Sequence, residues 1–285
     1  MEDSLVAASR LSPRLQQVLH HIHQHLDHPL TLPSLASTVG CSRWQLQRDF
    51  QAATGLSLAR YIRRLRLSRA AEWLLTGRLR QLDIALGCGF DSEVSFSRAF
   101  RQQFGCSPGD YRKTGRRRGL LTPLLSPDEN TLLQIRIDNR PAEYLFGISG
   151  NCRGLFAESP DCLEQIPHIW QRFKTLSPAP LVQPAGAIGI DAGQPGQLRY
   201  WAGTLQQGFS VHGLERLEIP ASEYLVIPHQ GNPQKLARVL EWVILHWLPD
   251  SGYCYRGAFE LETYCSLEAD YRMEYWIPIA PAPKC

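Results

Sequence analysis

The chain has 285 residues, 44% of them apolar, and a net charge of +3; it is long enough for two domains with separate cores and too apolar to stay disordered. No apolar run approaches the roughly 18–20 residues of a membrane helix, and Met1 is followed by acidic and mixed sequence instead of a basic, then apolar, leader, so the chain reads as cytosolic with no membrane partner. Charge is unevenly shared: residues 1–120 hold eighteen Lys/Arg against nine Asp/Glu, the remainder twelve against eighteen, and seventeen of the eighteen N-terminal cations are arginine.

The basic part reads as helices. LPSLASTVG (32–40) places Leu32, Leu35 and Ala36 on one face and stops at Gly40. Ser42-x-x-Gln45 is a capping box that opens a second helix, in which Leu46 and Phe50 face inward while Trp44, Gln47, Arg48 and Gln51 share the outward side. LSLARYIRRLRLSRAAEWLL (56–75) continues as one helical pattern, and then the first pair is repeated. Leu46-x-Arg48-x-Phe50-x4-Gly55-x-Ser57-x3-Tyr61 returns fifty residues later as Phe96-x-Arg98-x-Phe100-x4-Gly105-x-Ser107-x3-Tyr111, and Ala36-x3-Gly40 returns as Ala85-x3-Gly89. In the second copy Asp91 is the expected N-cap.

A small alanine, a turn glycine and an amphipathic second helix are what two closely crossing helices of a helix-turn-helix require. The long helix between the copies spans roughly 28–30 Å, which can hold two reading helices about one DNA turn apart, in adjacent major grooves. On the first reader Arg48 can hold guanine O6/N7 with its fork, Gln47 adenine N6/N7, and Trp44 can pack on thymine methyls or sugars. Arg43 and Gln51 are placed for phosphates. The competing reading of Trp44 is packing against the preceding helix. The second reader offers Val94, Ser97, Arg98 and Arg101, with Glu93 and Ser95 at its start; only Arg98 forks, so this helix is expected to position more than it specifies.

GRRRGLLTPLLSPDEN (115–130), a basic triplet followed by prolines and turn formers, reads as a linker between a domain at 12–114 and another at 131–285. Eight cysteines include no CxxC pair and no zinc-finger spacing, so they read as reduced, packed thiols, with no metal and no cofactor.

The acidic part carries a weaker echo. RPAEYLFGISGN (140–151) and IPASEYLVIPHQGN (219–232) share Pro-Ala and Glu-Tyr-Leu, and each leads into an amphipathic helix, at 163–176 and 233–248. The strand pairs AGAIGIDAG with QLRYWAGTL, and GAFELETYC with YRMEYWIPI, follow. The fold class expected for the whole is two domains: an all-α double helix-turn-helix domain, then an α+β domain built as a duplicated β-α-β-β unit with a groove between its halves. Candidates for lining that groove are Tyr144, Tyr200, Trp201, Tyr224, Tyr264 and Trp276, together with Glu262. A carboxylate facing inward from a strand is costly unless it awaits a cation, and aromatic walls around one negative charge suit a bulky cation; the competing reading is that Glu262 points to solvent.

With its two helix-turn-helices, its long connecting helix and the closing block GFDSEVSFSRAFRQQFGCSPGDYR (89–112), the basic part resembles the DNA-binding domain of AraC/XylS-type bacterial transcription regulators. CSRWQLQRDFQAATG (41–55) is similar to the subgroup of MarA, SoxS and Rob. The resemblance implies base reading at Trp44, Gln47 and Arg48, contact with RNA polymerase near promoters, action as an activator and residence on the bacterial nucleoid. Members that read two half-sites strongly carry Gln-Gln where Glu93-Val94 stand here. PASEYLVIPHQG, HWLPDSGY (246–253), LETY (261–264) and YWIPI (275–279) resemble GyrI-like effector-binding domains, which implies a small-molecule cavity holding Glu262 and an amphipathic or cationic effector. Two further readings stay open: an acidic half that holds a protein partner, and a GyrI-like hydrolase using His229, Glu262 and Tyr264 as an acid–base set.

Overall fold

The computed structural model describes residues 12–128, 131–177, 181–190, 196–209, 211–266 and 272–282. They fall into two compact units that divide between Asn139 and Arg140.

The first unit is helical: α1 (Pro13–Gln24), α2 (Leu32–Thr38), α3 (Arg43–Thr54), α4 (Leu58–Thr76), α5 (Gln81–Gly87), α6 (Glu93–Phe104) and α7 (Pro108–Thr114). Equivalent chemistry bounds equivalent helices. Ser42 and Ser92 accept from the backbone N–H groups of Gln45 and Ser95 at 3.2 Å, and Ser57 and Ser107 do the same for Arg60 and Asp110. Ser92, not the expected Asp91, is the N-cap of α6, because its hydroxyl sits three residues before the amide it satisfies. Gly55 and Gly105 end α3 and α6 at φ 71° and 74°, a conformation that costs any residue with a Cβ. Inside, the repeat preserves an aromatic contact as well: Phe50 lies 5.6 Å from Tyr61 and Phe100 lies 5.4 Å from Tyr111, ring centre to ring centre.

The segment after α7, read from its composition as a linker, is packed on this unit. The tyrosines explain why. Tyr61 accepts the Leu124 N–H at 2.8 Å, and Tyr111 accepts the Arg118 N–H at 2.8 Å while donating to the Arg118 carbonyl at 3.0 Å. Leu124 joins the core formed by Val18, Ile22, Leu46, Phe50 and Tyr61. β1 (Leu120–Leu121) pairs antiparallel with β4 (Arg136–Arg140), and β2 (Leu125–Asp128) with β3 (Thr131–Leu133).

The second unit contains β5 (Glu143–Arg153), α8 (Cys162–Leu176), β6 (Pro184–Ile190), β7 (Gln197–Thr204), β8 (Glu215–Ile219), β9 (Ser222–Gln230), α9 (Pro233–Trp242), a π-helical turn (Val243–Trp247), β10 (Tyr253–Tyr255), β11 (Glu260–Ser266) and β12 (Arg272–Pro281). Its strands form one antiparallel sheet in the order β9-β12-β11-β6-β7-β5-β8, with β10 on the end of β12. The register across its middle sets Glu262 opposite both Gly186 and Tyr275, and Ile188 opposite both Glu260 and Tyr200. Since side chains alternate, Tyr200, Glu260, Glu262 and Tyr275 share one face. Trp201, Tyr224, Leu261 and Trp276 share the other, in a core with Leu145, Ala187 and Val226. Both faces are therefore buried, which gives the strands near-continuous apolar runs.

Candidate DNA-reading face and ligand cavity

α3 leaves Trp44 71% exposed, so the indole is not packed against the preceding helix. Arg43, Arg48 and Gln51 are exposed beside it, and Gln47 is half-buried. The Arg48 guanidinium lies 4.7 Å from the centre of the Trp44 ring, and its Nε and Nη2 both donate to Asp49 Oδ1 at 3.1 Å. Asp49 escaped the reading of the sequence; it precedes Phe50 and sits at the edge of the outward face, where an arginine beside it can fold back. On α6, Glu93, Ser95, Arg98 and Arg101 are exposed and Val94 is 80% exposed. Two of the serines are already engaged: Ser95 Oγ donates to the Ser92 carbonyl at 2.9 Å, and Ser97 Oγ accepts from Gln81 Nε2 at 2.9 Å, which ties α6 to α5. The outward side chains of α6 without such engagement are Glu93, Val94, Arg98 and Arg101, one acid, one apolar contact and two cations.

In the second unit the sheet face carrying Tyr200 and Glu262 forms the floor of a cavity of about 830 Å³, walled by α8 and by α9 with its π-helical turn. The walls are apolar: Leu163, Ile166 and Trp170 from α8, and Leu236, Leu240 and Ile244 from the other side. Two helix irregularities fall on these walls. Pro167 lies inside α8, where it has no N–H for the Leu163 carbonyl, and Ile244 lies in the π-helical turn, a feature that recurs at functional sites.

The polar floor is organised around Glu262, which is 6% exposed and so does not point to solvent. Tyr200 Oη donates to Glu262 Oε2 at 2.5 Å, Tyr264 Oη donates to the same oxygen, and Trp170 Nε1 donates to Tyr200 Oη at 2.8 Å. Gly186, directly opposite Glu262, makes this possible: a Cβ there would sit 2.9 Å from Glu262 Oε2 and would collide with the Tyr200 hydroxyl. Burial pushes the Glu262 carboxyl above the usual carboxylate range, and the two tyrosine hydrogen bonds pull it part of the way back. Glu260, two residues earlier and partly exposed, also lines the cavity. It accepts from Tyr275, and burial again raises its carboxyl. The cavity's two thiols stay neutral, because burial pushes Cys152 up to about 12 and raises Cys162 as well. Lys174, exposed at the rim, is the one cation lining the cavity among the described residues.

Of the residues expected to line a groove, Tyr200, Glu262 and Tyr264 meet in this cavity. Trp201, Tyr224 and Trp276 do not: they project from the opposite sheet face, where Trp201 packs edge-on to Phe259 at 5.6 Å and Tyr224 to Trp276 at 5.9 Å. Tyr144 is 43% exposed on β5, with the Arg216 guanidinium 4.7 Å from its ring. Glu260 and Tyr275 were missed although each stands one or two residues from a residue that was named. His229 is not part of the cavity wall; its Nε2 pairs with the Asn232 carbonyl at 3.1 Å, so His229, Glu262 and Tyr264 do not assemble as an acid–base set.

The sequence profile of a helix-turn-helix domain matches residues 35–114, and that of the GyrI-like small molecule binding domain matches residues 133–280, more than half of the chain. The right origin-binding protein of Escherichia coli K12 is 31% identical over 185 residues, 64% of this chain and 63% of that protein; the chain thus spans less than two thirds of that relative's length. The regulatory protein SoxS of the same strain is 42% identical over 98 residues, 34% of this chain and 92% of SoxS. The C-terminal domain of AraT, a response regulator from Geobacillus stearothermophilus, is 36% identical, with 37% of this chain and 88% of that structure covered and a TM-score of 0.36. With an AraC-type helix-turn-helix domain ahead of a sheet whose cavity holds a buried carboxylate, the chain belongs to the GyrI-like family.

Proposed function

We propose that this protein is a sequence-specific DNA-binding transcription regulator, acting as an activator, whose GyrI-like cavity takes an amphipathic cation. The observation that carries the DNA half is the exposed Trp44–Arg48 pair on the second helix of a helix-turn-helix, repeated fifty residues on with Arg98 in the same place. α3 reads bases through Trp44, Gln47 and Arg48 with Arg43 and Gln51 on phosphates, and α6 anchors through Arg98 and Arg101 in the adjacent major groove. Contact with RNA polymerase is what the resemblance to AraC/XylS-type regulators implies. In the cavity, two carboxylates among aromatic and aliphatic walls favour a cation, since ionising them without one is costly. No enzymatic step is proposed.

We also infer that the second unit arose from two copies of a β-α-β-β unit, β5-α8-β6-β7 and β9-α9-β11-β12. The strand order supports it: β6-β7-β5 on one side of the sheet and β11-β12-β9 on the other run outward from a shared centre. Tyr200-Trp201 and Tyr275-Trp276 then correspond. The Glu-Tyr-Leu echo does not obey the correspondence, because Leu145 of one copy and Tyr224 of the other face the same core.

Selection of bound sequences from a random DNA pool, with and without pentyltrimethylammonium, tests the function. A single enriched motif is expected, with thermal stabilisation of the protein by the cation. Failure to enrich any motif overturns the DNA reading, and the absence of stabilisation overturns the cation reading.

A further inference from the structure

The cavity has two carboxylates where one would hold a monocation, and they are not redundant. Glu260 and Glu262 are alternate residues of β11, so both side chains rise from one face with their Cα atoms about 6.5–7 Å apart. Their partners pull them in opposite directions across the sheet. Glu262 is bonded by Tyr200, which reaches it from β7 over the bare backbone of Gly186 on β6, and by Tyr264. Glu260 leans the other way, to Tyr275 on β12 and Tyr255 on β10. Tyrosine hydroxyls donate to both carboxylates, Tyr200 and Tyr264 to Glu262 and Tyr275 and Tyr255 to Glu260. Such neutral donors orient a carboxylate without cancelling its charge.

We infer that the cavity recognises ligands with two cationic centres, one seated at Glu262 on the inner floor and the other at Glu260 near the opening, their charges separated by a short aliphatic spacer. This rests on the reading of the cavity as a cation site. A monocation neutralises Glu262 and leaves Glu260 to solvent or to a proton. A dication of matching length neutralises both, and its second contact forms within a complex already held by the first, which multiplies affinity. The spacer meets apolar walls, and 830 Å³ leaves room for it.

The test is isothermal titration of the full chain with pentyltrimethylammonium, pentamethylene-bis(trimethylammonium) and decamethylene-bis(trimethylammonium). The pentamethylene dication is expected to bind at least about tenfold more tightly than the monocation, and more tightly than the overlong decamethylene homologue. Glu260→Gln should abolish the dication's advantage, bringing the ratio of dication to monocation affinity to about one, and Glu262→Gln should weaken both. Equal binding of mono- and dication to the unmodified protein overturns the two-centre inference and leaves the cation site standing. Binding of neither overturns both. The comparison on the unmodified protein needs no variant, so misfolding of a glutamine substitution does not blunt it; a dication advantage that survives in a folded Glu260→Gln also refutes the assignment of the second centre.

Discussion

Replacing Arg48 by alanine should separate base reading from charge. A forked arginine contact to guanine is worth about 1–3 kcal/mol. In the free protein the guanidinium is already engaged: it lies over Trp44 at 4.7 Å and donates twice to Asp49 Oδ1 at 3.1 Å. That ion pair is about half exposed on both sides, so it contributes roughly 0.2–1 kcal/mol. Binding DNA must exchange it for the base. The net loss for Arg48→Ala is therefore about 1–2 kcal/mol at the selected site, or roughly five- to thirtyfold. Asp49→Ala removes the competitor and should tighten binding to every sequence by up to about 1 kcal/mol, with a lower specificity ratio because a guanidinium without its orienting partner also finds phosphates. Fluorescence anisotropy of the full chain with the selected duplex, with a duplex altered at single positions, and across a salt series would measure each quantity. If Arg48→Ala weakens all duplexes equally and reduces the salt slope by about one, Arg48 is a phosphate contact and the argument fails.

Glu93→Gln combined with Val94→Gln replaces one acid and one exposed apolar side chain on α6 with amides that reach bases, and should tighten binding to a two-half-site duplex in the same anisotropy assay. Glu262→Gln should change how stability depends on pH: the carboxyl is raised on folding, so its contribution is complete below the unfolded value near 4.5 and declines as pH rises through the folded value. Urea unfolding should therefore show the parent losing up to about 1.4 kcal/mol per pH unit across that window relative to the glutamine variant, and parallel pH profiles would exclude an ionisation linked to folding. Tyr61→Phe leaves the buried Leu124 N–H without its acceptor and His23 without its partner at 2.7 Å, and should cost about 1–3 kcal/mol of stability in urea unfolding. His23 is lowered to about 4, chiefly by burial, so the stability it lends is present above 6.5 and lost as pH falls toward 4; His23→Gln should flatten that acid limb in the same experiment.

The helical half was open to reading because one set of constraints appears twice. Residues such as Ser57/Ser107, Gly55/Gly105 and Tyr61/Tyr111 each answer to a local requirement of a cap, a left-handed turn or a core contact, and fifty residues later the same requirement returns. The sheet was less legible for the opposite reason. Alternation tells which residues of a strand share a face but not which face meets the cavity, and here both faces are buried. In Tyr275-Trp276 the larger aromatic drew the reading toward the indole, whereas the tyrosine faces Glu260; in Tyr200-Trp201 both rings were expected in the groove, and only Tyr200 faces Glu262. The docking of residues 118–124 on Tyr61 and Tyr111 was hidden too, since a hydroxyl that accepts from a distant backbone amide leaves no periodic trace.

α4 has a consequence for the DNA that the protein can use. Nineteen residues run unbroken from the cap at Ser57 to the left-handed turn at Gly77, with no proline or glycine between. Two readers joined this way behave as the teeth of one key. A dimer with a pliable joint adapts to operators of different spacing, but here distance and rotation between the readers are both fixed by one rod. Inserting a single alanine in its middle would turn one reader by about 100° and push it about 1.5 Å along the axis. Operators read by both helices are therefore expected to have one permitted phase, and a duplex with one base pair more or less between the halves should be bound through α3 alone.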